Sequence, residues 1–204
     1  MTQRDLTPLP VHVLTGFLGA GKTTLLNALL RAPGLADTAV IVNEFGEIGL
    51  DHLLVGSARD TVVLLDSGCL CCAMEGSLRE TLANLYARRA AGDIPKFHRV
   101  LIETSGLAEP APILETLLAD PVLAGFYAPG ALLCVVDALH GMATLDQSGT
   151  ARAQAALADT ILISKADLAG GLAPALLTRL TALNHEARVI DGAAALGDPL
   201  ALLR

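Results

Sequence analysis

"GFLGAGKT", residues 16–23, decides how the rest of the chain is read. It satisfies G-x-x-x-x-G-K-[ST], follows the short β-type run "VHVLT" (11–15) and opens the helical pattern "TTLLNALLRA" (23–32). Strand, glycine-rich turn and helix form the context in which this motif cradles phosphate. The reason is geometric. Gly16, Gly19 and Gly21 let the loop around Ala20 turn its N–H groups toward phosphate oxygens, and the helix start adds a favourable dipole. Lys22 is expected to reach the β- and γ-phosphates, Thr23 to ligate Mg²⁺, and Thr24 to hydrogen-bond the α-phosphate. A turn that bound nothing would have no use for Lys-Thr at the helix start.

Beyond the loop, strand and helix patterns alternate. Strand-like runs fall at 38–44, 61–66, 99–104, 130–138, 160–167 and 187–191. Helical patterns fall at 76–92, 111–120, 150–159 and 173–184. In 76–92, Leu78, Leu82 and Leu85 recur at helical spacing and Gly92 closes the pattern. This alternation predicts an α/β, three-layer P-loop NTPase fold: a mostly parallel sheet with helices on both faces.

The composition agrees. Of 204 residues 52% are hydrophobic but only 3% aromatic, so the core must be aliphatic, as buried parallel strands usually are. A net charge of −7 without a basic stripe argues against nucleic acid. No signal pattern and no apolar run of membrane-spanning length is present, so a cytoplasmic protein away from membranes is expected.

Two further stretches bear on nucleotide chemistry. In "LIETSGLAEP" (101–110) the strand should lie beside the P-loop strand. Glu103 at its tip would then hold the Mg²⁺ hydration shell, and Gly106 would offer its N–H to the γ-phosphate, as a sensor of that phosphate. In "ISKADL" (163–168) Asp167 can accept two hydrogen bonds from the N1–H and N2–H₂ edge of guanine. Adenine has no such pair of donors. The Lys165 stem can lie over the base. Ser164 stands where GTPases usually carry Asn, which alters one base contact.

"SGCLCC" (67–72) gathers Cys69, Cys71 and Cys72 in four positions. A reducing compartment disfavours a structural disulfide, leaving metal binding or redox chemistry. Cys134, inside "ALLCVV", reads as a core residue, and the five scattered histidines show no ligand-like pairing.

Taken in order, "GFLGAGKTTLLN", "VNEFGEIGLD", "SGCLCC", "ETSGLAEP", "VVDA" and "SKADL" resemble the GTPase domain of the CobW-type metallochaperones, relatives of the nickel-insertion GTPases. The resemblance runs from about Val11 to Arg204. It implies GTP/GDP and Mg²⁺ as cofactors and a transition metal on Cys69, Cys71 and Cys72. Soft thiolates favour Zn²⁺, and three sulfurs leave a fourth tetrahedral position open for transfer. Co²⁺ is the second choice, because some of the resembling proteins serve cobalamin synthesis. Glu44 and Glu47 are candidates for supplementary ligands, for a switch segment near Mg²⁺, or for a plain polar loop. The cysteine loop is expected to leave the C-terminal end of a strand, at the edge where the nucleotide gathers.

Expected partners are a guanine nucleotide, a transition-metal ion, a client metalloprotein or metal-insertion enzyme and, as an option, a second copy of the chain. Residues 1–10 read as a tail, 11–192 as the GTPase domain, and 193–204 as the start of a linker toward a C-terminal domain that family members usually carry. No glutamine for positioning water and no arginine finger can be assigned, so slow intrinsic turnover is expected. Two other readings stay open: a P-loop ATPase or kinase-like protein with a structural zinc loop, and a nucleotide-gated thiol redox switch.

Overall fold

The computed structural model describes residues 7–31, 33–42, 62–64, 70–73 and 77–203. Among them the strands are β1 (Leu9–Gly16), β2 (Thr38–Val42), β3 (Val62–Leu64), β4 (Leu70–Ala73), β5 (Arg99–Glu103), β6 (Tyr127–Asp137), β7 (Thr160–Ser164) and β8 (Arg188–Asp191). They form one sheet in the order β3-β4-β2-β5-β1-β6-β7-β8. Every pairing is parallel except that of β3 with β4.

The helices are α1 (Lys22–Leu30), α2 (Leu78–Ala91), α3 (Ala111–Ala119), α4 (Pro121–Ala124), α5 (Gly141–Gln147), α6 (Gly149–Leu157), α7 (Pro174–Leu183) and α8 (Gly192–Ala195). Strand alternation sorts the core into two layers. Leu14, Val40, Leu101, Leu133 and Leu162 face α1, whose Leu25, Leu26 and Leu29 pack on them. Val11, Ile41, Val100 and Ile102 face the other side, against Leu82 and Leu85 of α2 and Leu117 of α3. On that same side Cys134, Val136, Ile161 and Ile163 pack on α6 and α7. The three-layer architecture is therefore the one the sequence predicts, and Cys134 is a core residue whose thiol burial pushes up to about 12. No helix among the described residues is long and apolar enough to cross a membrane.

Local chemistry explains the boundaries. Ser77 and Glu80 form a reciprocal capping box at the start of α2, and Gly92 ends it in the left-handed region at φ 83°. β6 begins three residues earlier than the apolar run at 130 suggested. Pro129-Gly130 would normally break a strand, but here the β1–β6 register shifts between Val11 and Val13. The imidazole of His12 fills the irregularity: its Nδ1 accepts a hydrogen bond from the Ala131 N–H at 2.9 Å. A Cβ at Gly130 would come within 2.6 Å of that nitrogen. Residues 193–203, read as the start of a linker, place Ala195 and Leu202 in the α1-side core.

The cysteine segment differs from expectation. Cys71 and Cys72 lie on β4 rather than in a loop, and β3, being antiparallel, ends at the opposite sheet edge from the P-loop. β4 then returns the chain in parallel with β2. Cys69, Glu44 and Glu47 lie outside the described residues.

Candidate functional site

β1 runs straight into the P-loop. Gly16 sits at φ 140° against β6, where a Cβ would meet the Val135 carbonyl oxygen at 2.4 Å. No other residue fits that approach. Gly19 and Gly21 also have positive φ, and Gly21 caps α1 from the left-handed region.

Three carbonyls of the loop are held by side chains. Lys22 Nζ donates to Phe17 O at 3.4 Å, Lys165 Nζ to Gly19 O at 2.8 Å, and Ser164 Oγ to Ala20 O at 2.5 Å. A trans peptide points its C=O and the following N–H in opposite directions. Tying the Ala20 carbonyl to β7 therefore turns the Gly21 N–H away from β7, free for an anion at the helix start. The Ser164 hydroxyl, at the position where the sequence places an altered base contact, ties the P-loop to β7.

On one side of β1 the Thr23 hydroxyl meets an acid of β5. β5 pairs with β1 as predicted, with Glu103 level with Leu14. Glu103 is buried, and its Oε1 accepts from the Thr23 hydroxyl at 2.6 Å. Hydroxyl and carboxylate are thus oxygen donors close enough together that both could serve one Mg²⁺. Just beyond, the Thr104 N–H donates to Leu14 O at 3.0 Å and its hydroxyl to Thr15 Oγ1 at 3.0 Å. Gly106 rests on the P-loop: a Cβ there would come within 2.6 Å of the Leu18 nitrogen.

On the other side lie the residues that end β6 and follow β7. Asp137 ends β6 and accepts from Lys165 Nζ at 2.6 Å and from the Leu139 N–H at 2.7 Å. Burial pushes its carboxyl up, but the Lys165 hydrogen bond and the backbone N–H groups outweigh that and hold it below the usual carboxylate range. Lys165 adopts φ 57°, uncommon for a residue with a side chain, and so reaches back to the loop. Asp167 is exposed at the rim of an open cleft lined by Lys165, Ala166, Gly171, Asp191 and Ala193. Asp191 and Ala193 were not singled out in the sequence. The only signal would have been an acid ending the last strand. Asp191 caps α8 by accepting from the Ala193 N–H at 2.8 Å.

The cysteine strand lies on the β5 side of β1. Ile41 pairs with Cys72 on one side and Ile102 on the other. Two strand spacings, about 10 Å, therefore separate the Cys72 backbone from the residue before Glu103. Among the described residues no group of three or more metal-ligating side chains forms.

Fold and groups together define a P-loop nucleotide-binding domain. The sequence profile of the CobW/HypB/UreG nucleotide-binding domain matches residues 10–191, and the chain belongs to that family. The zinc chaperone YjiA of Escherichia coli strain K12 is 39% identical over 184 residues, 90% of this chain and 57% of that protein. The zinc-regulated GTPase metalloprotein activator 1 of Schizosaccharomyces pombe is 31% identical over 194 residues, 91% of this chain and 46% of that protein. The crystal structure of Zn(II)-bound YjiA GTPase from E. coli superposes with a TM-score of 0.75 at 38% identity, covering 90% of this chain and 57% of that one. The chain thus spans about half the length of these relatives.

Proposed function

We propose that this chain binds GTP with Mg²⁺, hydrolyses it slowly, and carries a transition metal whose binding or transfer depends on the nucleotide state. The observation that supports this most is the meeting, at one sheet edge, of the Thr23–Glu103 pair, the P-loop and the Lys165–Asp167 cleft. Lys22 would neutralise the β- and γ-phosphates and the Gly106 N–H would contact the γ-phosphate. Asp167 would select guanine, which favours GTPase over the ATPase reading. Mg²⁺ would supply charge neutralisation at the phosphates.

The metal would be Zn²⁺ first and Co²⁺ second, on Cys69, Cys71 and Cys72, and the recipient a client metalloprotein or metal-insertion enzyme. The names of the zinc-chaperone relatives support the metal. The placement of β4 supports the coupling, since β2 alone separates it from β5. If GTP tightens metal binding, metal tightens GTP binding by the same factor.

The test has two arms. Phosphate release is measured with GTP and with ATP, in Mg²⁺ and in EDTA; release from GTP alone, abolished by EDTA, is expected. Zn²⁺ is titrated against a chromophoric chelator with wild-type and Cys71→Ser protein, and the variant should lose tight binding. Equal use of ATP would end the guanine assignment. Unchanged Zn²⁺ affinity in Cys71→Ser would end the thiolate one.

A further inference from the structure

Helix α6 packs Ala151 and Ala155 into the core, and Gln154 lies on that same buried face, fully enclosed. A buried amide must find partners or destabilise the fold. Its Nε2 donates to Gly106 O at 3.2 Å and to Ala108 O at 2.9 Å. Both acceptors are carbonyls, which fixes the orientation of the amide. Both bonds land on the turn at 104–110, far away in sequence.

That turn is anchored at its root by Thr104 on β1 and closed locally by the Ala108 N–H on Ser105 O at 3.1 Å. Its middle has two supports. On one side Gly106 lies against Leu18, where even a Cβ would be only 2.8 Å from the Leu18 Cα. On the other side the turn is tied to Gln154. Holding the Gly106 carbonyl fixes the following peptide plane, and with it the setting of Gly106 against the P-loop.

We propose that Gln154 is a positioning residue for the γ-phosphate sensor, holding the 106–108 peptides where a triphosphate is distinguished from a diphosphate. This rests on the reading of Gly106 as the γ-phosphate contact. It also joins the two sides of the site, because α6 runs directly into β7 and so toward Ser164 and Lys165. Gln154 touches no reacting atom in this account; it acts through the turn.

The test compares the Kd of a non-hydrolysable GTP analogue with that of GDP, both in Mg²⁺, for wild type, Gln154→Leu and Gln154→Asn. Leucine removes both donors at similar size; asparagine keeps an amide that is one methylene too short to reach both carbonyls. Affinity for the analogue should fall about tenfold, as for the loss of one to two buried hydrogen bonds. Affinity for GDP should stay within about twofold, which also reports that the variants are folded. Equal losses for both nucleotides, or none for either, would overturn the proposal.

Hydrogen exchange of the 104–109 amides in wild-type protein separates this failure from failure of the sensor itself. Stronger protection with the analogue than with GDP is expected. Equal exchange in the two states would remove Gly106 as the γ-phosphate contact, and the proposal with it. Unequal exchange alongside nucleotide-blind Gln154 variants would remove Gln154 alone.

Discussion

The two sides of β1 treat the P-loop differently. On the β6–β7 side, Ser164 holds the Ala20 carbonyl and Lys165, itself paired with Asp137, holds the Gly19 carbonyl. On the β5 side, among the described residues, Thr23 pairs hydroxyl to carboxylate with Glu103, and beyond it a turn rests on Leu18. On the proposed reading, the first side would be a frame that GTP and GDP meet alike. The second places its groups where cation and terminal phosphate are expected, and the cysteine strand lies two places further along that half of the sheet. On the proposed reading, frame and sensor would be separated across a single strand, with α6 tied to the sensor turn through Gln154.

Substitutions can break that division. Lys22 is proposed to meet the β- and γ-phosphates, so Lys22→Ala should weaken GTP-analogue and GDP binding together, the analogue by about a thousandfold as two charge-assisted bonds are lost. A fluorescent-nucleotide titration reads this. A loss confined to one nucleotide would contradict a shared role.

The next effect concerns β1 itself. Burial, helped by the Arg99 charge, lowers the His12 pKa from 6.5 to about 4. The unfolded chain therefore binds more protons between those values, and stability should fall as pH drops through that window. The full loss is about 3 kcal/mol. Urea midpoints from pH 7 to pH 4 measure it, and His12→Gln should flatten the slope. A wild-type midpoint independent of pH would mean that His12 is not held neutral in the β1–β6 seam.

Smaller effects sharpen the frame. Asp167→Ala should cost GTP and GDP about 2 kcal/mol each while leaving ATP binding unchanged. Ser164→Ala should cost both guanine nucleotides about 1 kcal/mol, through a loosened P-loop rather than a lost base contact. A change in the GTP-to-ATP preference of Ser164→Ala would instead assign Ser164 a direct contact with the base.

The sequence made the frame legible where chemistry repeats at fixed spacing. The P-loop needs glycines and Lys-Thr at set offsets, so "GFLGAGKT" announces strand, turn and helix together. Glu103 could be placed because an acid ending an apolar strand has few roles beside such a loop. Gln154 carries no motif; its trace is a polar residue on the apolar stripe Ala151, Gln154, Ala155, Ala158 of α6, which periodicity alone would class as core. The β6 start was misplaced because Pro129-Gly130 reads as a break, and only the His12 ring opposite shows why a strand tolerates it. The direction of β3 could not be read at all, since three apolar residues fit a parallel or an antiparallel edge equally well.

The most direct test of the coupling between metal and nucleotide is the Zn²⁺ affinity measured by chelator competition with Mg²⁺ and GTP analogue, with Mg²⁺ and GDP, and without nucleotide. The account predicts a thiol-dependent affinity that differs between the GTP and GDP states. Equal Zn²⁺ affinity in all three would contradict it and leave a structural metal site beside an independent nucleotide switch.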